Sequence, residues 1–371
     1  MKKARILTAS WHPGSANSIV PVIKKLSENA DNEVISLSYG PSGQILDKNS
    51  IFYLTPSQRS IEDISKLVKI IKPDFVLSGT ASPDKENPVT LEQATIYSSK
   101  MQHIPSITIS DWWASIGRFD DLNDGTRGKF LPTKIAVADI YAERNFLDEG
   151  FNRSELIVTG NPHFDDIPEI KKSFDKEKRE KVRTDLGISP DSYLFTFASQ
   201  PIKNDFGNKW GYTEADALKG FLSSLEKLKG KKNFEVLVKV HPRENLEEVV
   251  KITEEFSFPV KVDKPYDTKK AVLASDAICS MFSTVLVESS YLDKPSISFQ
   301  PNLIGKDSLV TNSIGVSIPV YSFEEMDRIS EKILFDESYN NELAVKRRNF
   351  STDGRATERV VNLIYEMLKE N

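Results

Sequence analysis

The sequence predicts an α/β protein built from two doubly wound, parallel-sheet domains. The chain has 371 residues, and at about 150 residues per domain this length favours two domains. Short apolar segments alternate with amphipathic ones, an order that builds parallel sheets through right-handed crossovers. A densely charged stretch at residues 170–181 interrupts this order near the middle of the chain.

The first half begins with an apolar strand at residues 5–10, which is followed by a Pro/Gly turn and a helical pattern at 19–26. The same order then recurs. Further strands are predicted at 33–37, 74–78 and 106–110, and further helices at 61–71 and 91–101. These elements predict a Rossmann-like domain at residues 1–168.

The charged stretch has almost no large apolar residues, which is typical of a solvated helix or connector, and predicts a linker at 169–187. A second domain is predicted at 188–350, with a terminal helix at 351–371 that packs back on the first domain. Its strands are predicted at 193–198, 235–240, 277–280 and 296–299, and its helices near 214–228, 245–256 and 284–292. Ligands bind beyond the carboxyl ends of such strands, so the expected site is a cleft between the domains.

Composition excludes several classes of function. Lys and Arg number 49 against 54 Asp and Glu, and a formal charge of −5 disfavours a nucleic-acid partner. Cys279 is the single cysteine, so disulfides and cysteine zinc sites are excluded, and a cytoplasmic location is expected. No stretch reaches the ~20 apolar residues of a membrane span, so any membrane association is expected to be peripheral.

A basic segment follows the predicted strand at 235–240. Lys239, His241 and Arg243 would stand at the carboxyl end of this strand, where they can bind a phosphate or diphosphate through charge-assisted hydrogen bonds. The alternative is a turn built on Pro242 with a surface histidine.

A second candidate site follows the strand at 277–280. Ser283 and Thr284 begin the next helix, and a helix N-terminus offers unpaired amide donors and a positive dipole to an anion. Glu288 lies one turn further on, where a carboxylate can accept both hydroxyls of a ribose. Alternatively, Ser283 or Thr284 only caps the helix and Glu288 is solvated.

The order of these motifs along the chain resembles that in a known superfamily. They are Lys-x-His-Pro, then Ser-Asp followed by Ser-Thr-x-x-x-Glu and Asp-Lys-Pro, and finally Asp353-Gly354-Arg355. The chain resembles GT-B nucleotide-sugar enzymes, most closely the glycerophosphotransferase, capsule polysaccharide and bacterial sialyltransferase-like families; the hydrolysing UDP-GlcNAc 2-epimerases are similar relatives. The resemblance implies that His241, Ser283 and Thr284 hold the donor phosphates, and that Glu288 binds the ribose. It also implies a UDP- or CDP/CMP-type donor.

The resemblance extends to the first domain with looser motifs, and it implies that this domain is on the acceptor side. Residues 158–165 resemble the segment that closes the first domain in epimerases and Kdo transferases, and residues 181–188 resemble their linker helix. Related families place an acid within Glu-Asp-Gly or Glu-Ala-Gly after the strand at 106–110. Asp111 is therefore the candidate general base, although Asp-Trp-Trp matches neither version. Alternatively, Asp111 caps a helix while Trp112 and Trp113 pack in the core; if exposed, the two rings could stack on a sugar.

His12, Gly14 and Arg118 are further candidate cleft contacts. His12 and Gly14 lie in the loop after the first strand. Gly14 is the only glycine in this loop, so the dinucleotide-binding motif G-x-G-x-x-G is missing, which argues against NAD or FAD as the ligand. The alternatives are an ordinary turn residue for His12 and a solvated loop for Arg118. The four histidines have no metal-ligand spacing, so we expect no required metal and no other required cofactor.

The sequence therefore predicts an enzyme that moves a sugar or polyol phosphate from a nucleotide-activated donor to a hydroxyl acceptor in surface polysaccharide synthesis. One alternative is a hydrolysing epimerase like those that act on UDP-GlcNAc, which needs no acceptor. The other is a non-catalytic protein that binds a nucleotide or sugar on the same scaffold.

Overall fold

The computed structural model describes residues 3–263 and 267–370, which divide into two compact units. The first unit consists of Met1–Asp166 together with Asp353–Asn371, and the second is Ile167–Thr352. Each unit has a parallel sheet with helices packed on it, so the predicted α/β class with two parallel-sheet domains is confirmed.

The strands of the first unit are β1 (Ala4–Ser10), β2 (Asn32–Ser38), β3 (Tyr53–Leu54), β4 (Phe75–Ser78), β5 (Ser106–Ile109), β6 (Lys134–Val137) and β7 (Leu156–Val158). They are parallel and lie in the order β3-β2-β1-β4-β5-β6-β7. The order reverses between β1 and β4, which is the switch point of a doubly wound sheet. The central strands are buried on both faces, as their near-continuous apolar sequences require.

Helices cover both faces of this sheet. They are α1 (Pro13–Ser27), α2 (Ser42–Lys48), α3 (Ile61–Ile71), α4 (Leu91–Met101) and α5 (Ile140–Asp148), joined by the last helix of the chain, α16 (Ala356–Lys369). On one face, Ile19 and Ile23 of α1 share a core with Val360 and Ile364 of α16. On the other face, the apolar sides of α3 and α4 form a second core. The last helix is therefore part of the first unit.

The second unit has the strands β8 (Tyr193–Ala198), β9 (Phe234–Lys239), β10 (Val260–Asp263), β11 (Ala277–Ser280), β12 (Ser296–Phe299) and β13 (Ile318–Val320). They are parallel in the order β10-β9-β8-β11-β12-β13. Its helices are α6 (Ile167–Ser173), α7 (Lys176–Asp185), α8 (Ile202–Phe206), α9 (Glu214–Glu226), α10 (Leu246–Thr253), α11 (Thr268–Ala274), α12 (Thr284–Tyr291), α13 (Val310–Ser313), α14 (Phe323–Phe335) and α15 (Glu337–Arg348). The order again reverses beside the first strand, here between β8 and β11.

The segment 169–187, predicted as a linker, is instead part of the second unit. It forms most of α6 and all of α7, and its Arg183 is 1% exposed. The Arg183 guanidinium donates to Asp276 Oδ2 at 2.7 Å and to the carbonyls of Ala274 and Ser192. The charged composition misled the prediction because a buried arginine satisfied by carbonyls and one carboxylate looks, in sequence, like a solvated one.

Candidate active site

The predicted phosphate-binding residues of the second unit lie at one edge of its sheet. His241 follows β9 and Ser283 follows β11, and β8 lies between these two strands. Because the strands are parallel, their carboxyl ends meet at the same edge. The structure therefore places both sequence motifs at the same edge of the sheet, on either side of the end of β8.

Two residues that the sequence patterns did not indicate hold these loops. The Ser199 hydroxyl donates to Glu244 Oε1 at 2.6 Å, and Glu244 Oε2 accepts the His241 amide at 2.9 Å. On the other side, Gln200 Oε1 accepts the Phe282 amide at 2.9 Å. Ser199 and Gln200 directly follow β8, so the end of the central strand ties down the loop on each side. Their position after an apolar strand is the signal that could have found them.

The His241 ring and the Arg243 guanidinium differ in how they are engaged. The Arg243 amide donates to His241 Nδ1 at 3.2 Å, so in the neutral ring Nε2 carries the proton and can donate to a ligand. The Arg243 guanidinium forms a bidentate pair with Asp205, at 2.6 and 2.7 Å. Arg243 would have to share or leave this pair in order to contact a phosphate.

Lys239 and Glu288 are held near each other at the same edge. Burial lowers the pKa of the Lys239 ammonium group, and the carboxylates of Asp263, Asp267 and Glu288 act in the opposite direction. Glu288 is only 6% exposed. The alternative that Glu288 is a solvated side chain is therefore wrong.

Ser283 is the N-cap of α12, as one alternative expected. Its Oγ accepts the Val285 amide at 3.2 Å, and Thr284 is the first residue of the helix. Capping uses a lone pair of the hydroxyl and leaves its proton for another acceptor, so it does not preclude a phosphate contact. Phe282, just before the cap, stacks on Trp210 with ring centroids 4.4 Å apart and fixes the approach of the chain to the helix.

In the first unit, Asp111 is the second residue after β5 and is joined to two polar side chains. Its Oδ1 accepts from the Thr80 hydroxyl at 2.7 Å and from Nη1 of Arg118, which also donates to Thr80 Oγ1 at 2.9 Å. The side chains of Asp111 and Arg118 are 17% and 13% exposed. No helix begins after Asp111 in the described chain before α5, so the capping alternative is wrong.

Gly14 allows Asp111 to approach the first turn of α1. A Cβ at position 14 would lie 2.0 Å from Asp111 Oδ2, which no pair of atoms can tolerate. The positive end of the α1 dipole is at this turn, where a carboxylate is stabilised. Beside it, His12 precedes α1 and stacks on Trp11 with ring centroids 5.2 Å apart. Gly14, Asp111 and Arg118 are thus neighbours, as a site requires.

The two tryptophans after Asp111 belong to the core. Trp112 is 9% and Trp113 is 1% exposed, so the alternative that they stack on a sugar is wrong. Trp113 packs near Phe164, and its Nε1 donates to Asp139 Oδ2 at 2.6 Å. Burial raises the pKa of Asp139 despite this hydrogen bond.

Two further observations concern metal binding and membrane association. Across residues 3–263 and 267–370, no three His, Cys, Asp or Glu side chains are grouped so that they could hold a metal ion. Within the same residues, none of the helices has the length and apolar character needed to span a bilayer.

The fold is shared with solved GT-B enzymes of nucleotide-sugar metabolism. The S. aureus MnaA–UDP complex is 15% identical over 99% of this chain and 97% of its own, with a TM-score of 0.71. UDP-GlcNAc 2-epimerase from Neisseria meningitidis, bound to UDP-GlcNAc, is 16% identical over 99% of this chain and 100% of its own, with a TM-score of 0.70. MurG from Acinetobacter baumannii is 14% identical over 98% and 99%, with a TM-score of 0.64. The predicted resemblance to GT-B nucleotide-sugar enzymes is confirmed.

The chain belongs to the CDP-glycerol:poly(glycerophosphate) glycerophosphotransferase family, whose model matches residues 135–366. No curated protein matches the chain in sequence. The family match contains the whole second unit and thus His241, Ser283, Thr284 and Glu288, whereas Asp111 and Arg118 lie before it. Family membership and fold together indicate a nucleotide-sugar enzyme of the transferase or epimerase type.

Proposed function

We propose that the protein transfers a sugar or polyol phosphate from a nucleotide-activated donor to a hydroxyl acceptor in surface polysaccharide synthesis. The observation that carries this proposal is the family match, which covers the unit whose sheet edge presents His241, Ser283 and Thr284. A CDP/CMP- or UDP-type nucleotide is the proposed donor. The single cysteine, Cys279, is a free buried thiol, and we retain the cytoplasm as the proposed compartment.

The second unit would bind the donor and stabilise its leaving group without a metal. The Nε2–H of His241, the hydroxyls of Ser283 and Thr284, and the first amides of α12 are donors suited to phosphate oxygens. Lys239 would contribute positive charge at the same edge. Because these donors are already fixed by Ser199 and Gln200, they would stabilise the developing charge with little rearrangement.

The first unit would supply the base. As the acceptor oxygen forms its new bond, the bond between the transferred group and the nucleotide phosphate breaks, and the acceptor proton passes to Asp111. Thr80 and Arg118 hold Asp111 Oδ1, which leaves Oδ2, the atom beside Gly14, as the proposed proton acceptor.

The first test is a thermal-shift titration with CDP, CMP, UDP, GDP and ADP, without metal and then with magnesium. Ligands that bind the native state raise its stability by mass action, so a selective, metal-independent shift is expected with CDP, CMP or UDP. The corresponding activated sugar or polyol is then incubated with hydroxyl acceptors. No shift with any nucleotide would contradict the proposal. Nucleotide release without an acceptor would indicate the epimerase type, and tight binding without turnover a binding protein.

His241→Asn then tests the donor site against His103→Asn as a matched control. His103 is exposed in the first unit and has a φ of 57°, which Asn tolerates well. Loss of one charge-assisted hydrogen bond costs about 1.5–3 kcal/mol, so His241→Asn should weaken nucleotide binding by about 10- to 100-fold. Equal affinities for the two variants would remove His241 from the site.

A further inference from the structure

A buried carboxyl group lies in the first unit beside the candidate base. Glu92 is the second residue of α4, and only 3% of its surface is exposed. A glutamate this deep is rare unless its charge is paired or removed. The proposed reaction does not use it.

Glu92 holds the turn between β1 and α1 through one carboxyl oxygen. Its Oε1 accepts the Trp11 amide and the Ser15 hydroxyl, both at 2.8 Å. Its Oε2 is buried and has no hydrogen-bond partner in the described chain. An ionised Oε2 would lose its hydration without gaining a hydrogen bond, whereas a protonated Oε2 carries no charge.

Glu92 and Asp111 meet the first turn of α1 at consecutive residues. Glu92 binds the Ser15 hydroxyl, and Asp111 Oδ2 lies where a side chain of Gly14 would be. The position of the Gly14 backbone therefore depends on the contacts of Glu92 on either side of it. Any movement of this turn would change the contact between Gly14 and Asp111.

The neighbouring carboxylate of Asp111 disfavours the ionisation of Glu92. Asp111 brings a negative charge from the loop after β5, and the Arg118 guanidinium from the same loop is engaged by Asp111 and Thr80. From the turn before α1, the ionisable side chain is His12. Burial raises the pKa of Glu92, its hydrogen bonds oppose this shift, and the charge of Asp111 adds to it.

We propose that Glu92 is a positioning residue for Asp111 and is held as a neutral carboxylic acid at neutral pH. In this form it fixes Trp11 and Ser15, and so the Gly14 backbone, without placing a second negative charge beside Asp111. Only the role of Asp111 as the base rests on the proposed function; the charge state of Glu92 does not.

Infrared difference spectroscopy of the purified protein, without substrate, tests the charge state. The wild-type spectrum minus that of Glu92→Gln should contain the C=O stretch of a protonated carboxyl group at neutral pH. Its absence would overturn the inference whether or not the protein is a transferase. Conversely, the band together with no transferase activity would overturn the proposed function alone.

Ser15→Ala provides a second measurement that leaves Glu92 in place. Loss of the Ser15 hydroxyl removes one hydrogen bond to the carboxyl group, so the C=O stretch of a protonated Glu92 should move to higher frequency. A spectrum in this region identical to that of the wild type would contradict a neutral Glu92.

The pH dependence of kcat/KM tests the link to Asp111. If Glu92 is neutral, Glu92→Gln removes no charge, and the midpoint of the acid limb should stay where it is in the wild type. If Glu92 were ionised, removing its charge would shift that midpoint to lower pH, and the inference would fail. If Glu92 had only a structural role, Glu92→Gln would lower kcat/KM at every pH without moving the midpoint. The infrared band of the protonated carboxyl group then separates this case from that of a neutral positioning residue.

Discussion

Asp165 caps the helix that begins at Ala356, although 191 residues separate them in sequence. Its Oδ1 accepts the Ala356 amide at 2.9 Å, and its Oδ2 accepts the Thr357 amide at 2.6 Å. The residue before the helix, Arg355, makes no side-chain cap. A carboxylate from the end of the segment 158–165 thus replaces the local N-cap of α16, which is why this segment carries an aspartate there.

Asp165→Ala should destabilise the first unit. Loss of an N-cap costs about 1–2 kcal/mol of unfolding free energy. Urea unfolding followed by tryptophan fluorescence measures this, because Trp11, Trp112 and Trp113 lie in the first unit. Asp148→Ala, at an exposed position at the end of α5, is the control and should unfold at the wild-type urea concentration. Equal midpoints for the two variants would show that the remote cap contributes nothing.

Gly14→Ala should reduce turnover much more than stability. The new Cβ would overlap Asp111 Oδ2, so Asp111 must move away from α1 and from Arg118. A displacement of about 1 Å at a reacting group can cost about 100-fold in rate. Gly43→Ala is the control, since it also adds a methyl group to a helical glycine and meets only the end of the Tyr53 side chain. Wild-type kcat/KM in Gly14→Ala would contradict the placement of the base.

The sequence predicted the elements whose patterns are local. Strands at 193–198, 277–280 and 296–299 were predicted to the residue, because strands buried on both faces read as short apolar runs between turns. The strands β3, β6, β7, β10 and β13 were not predicted; β3 has only two residues, and β13 contains Pro319, which weakens a strand pattern. Four of these five strands, all but β6, lie at sheet edges, where burial leaves the weakest pattern.

The candidate site was only partly predictable for a different reason. Asp111 and His241 follow strands, so topology alone assigns them to a ligand-binding edge. Thr80, which holds Asp111, is 31 residues earlier, and no periodicity connects the two. Glu92 occurs in a helix and reads there as an ordinary surface acid. Contacts made by folding, rather than residue type, give these two side chains their roles.

Ser283→Gly separates capping from phosphate binding. Gly replaces Ser at an N-cap at a cost of only a few tenths of a kcal/mol, so stability should change little. If the Ser283 hydroxyl donates to a phosphate, nucleotide affinity should fall about 10-fold or more. Ser322→Gly is the matched control, because Ser322 caps α14 in the same unit through the Glu325 amide. Isothermal titration calorimetry with both variants decides the role, and unchanged affinity in Ser283→Gly would leave Ser283 as a cap only.

Because Lys294 is buried, the second unit should be more stable at alkaline pH than at neutral pH. Burial, and then the charge of Arg179, lower the pKa of Lys294 to about 8, whereas the pKa of an unfolded lysine is about 10.4. Between these values the unfolded chain binds more protons, so unfolding free energy rises with pH, by up to about 3 kcal/mol. Lys294→Met removes the titrating group and should remove this rise from urea unfolding measured by circular dichroism between about pH 7 and pH 10. Lys251→Met, at an exposed position in α10, should keep the wild-type slope, and a wild-type slope in Lys294→Met would contradict the burial of its charge.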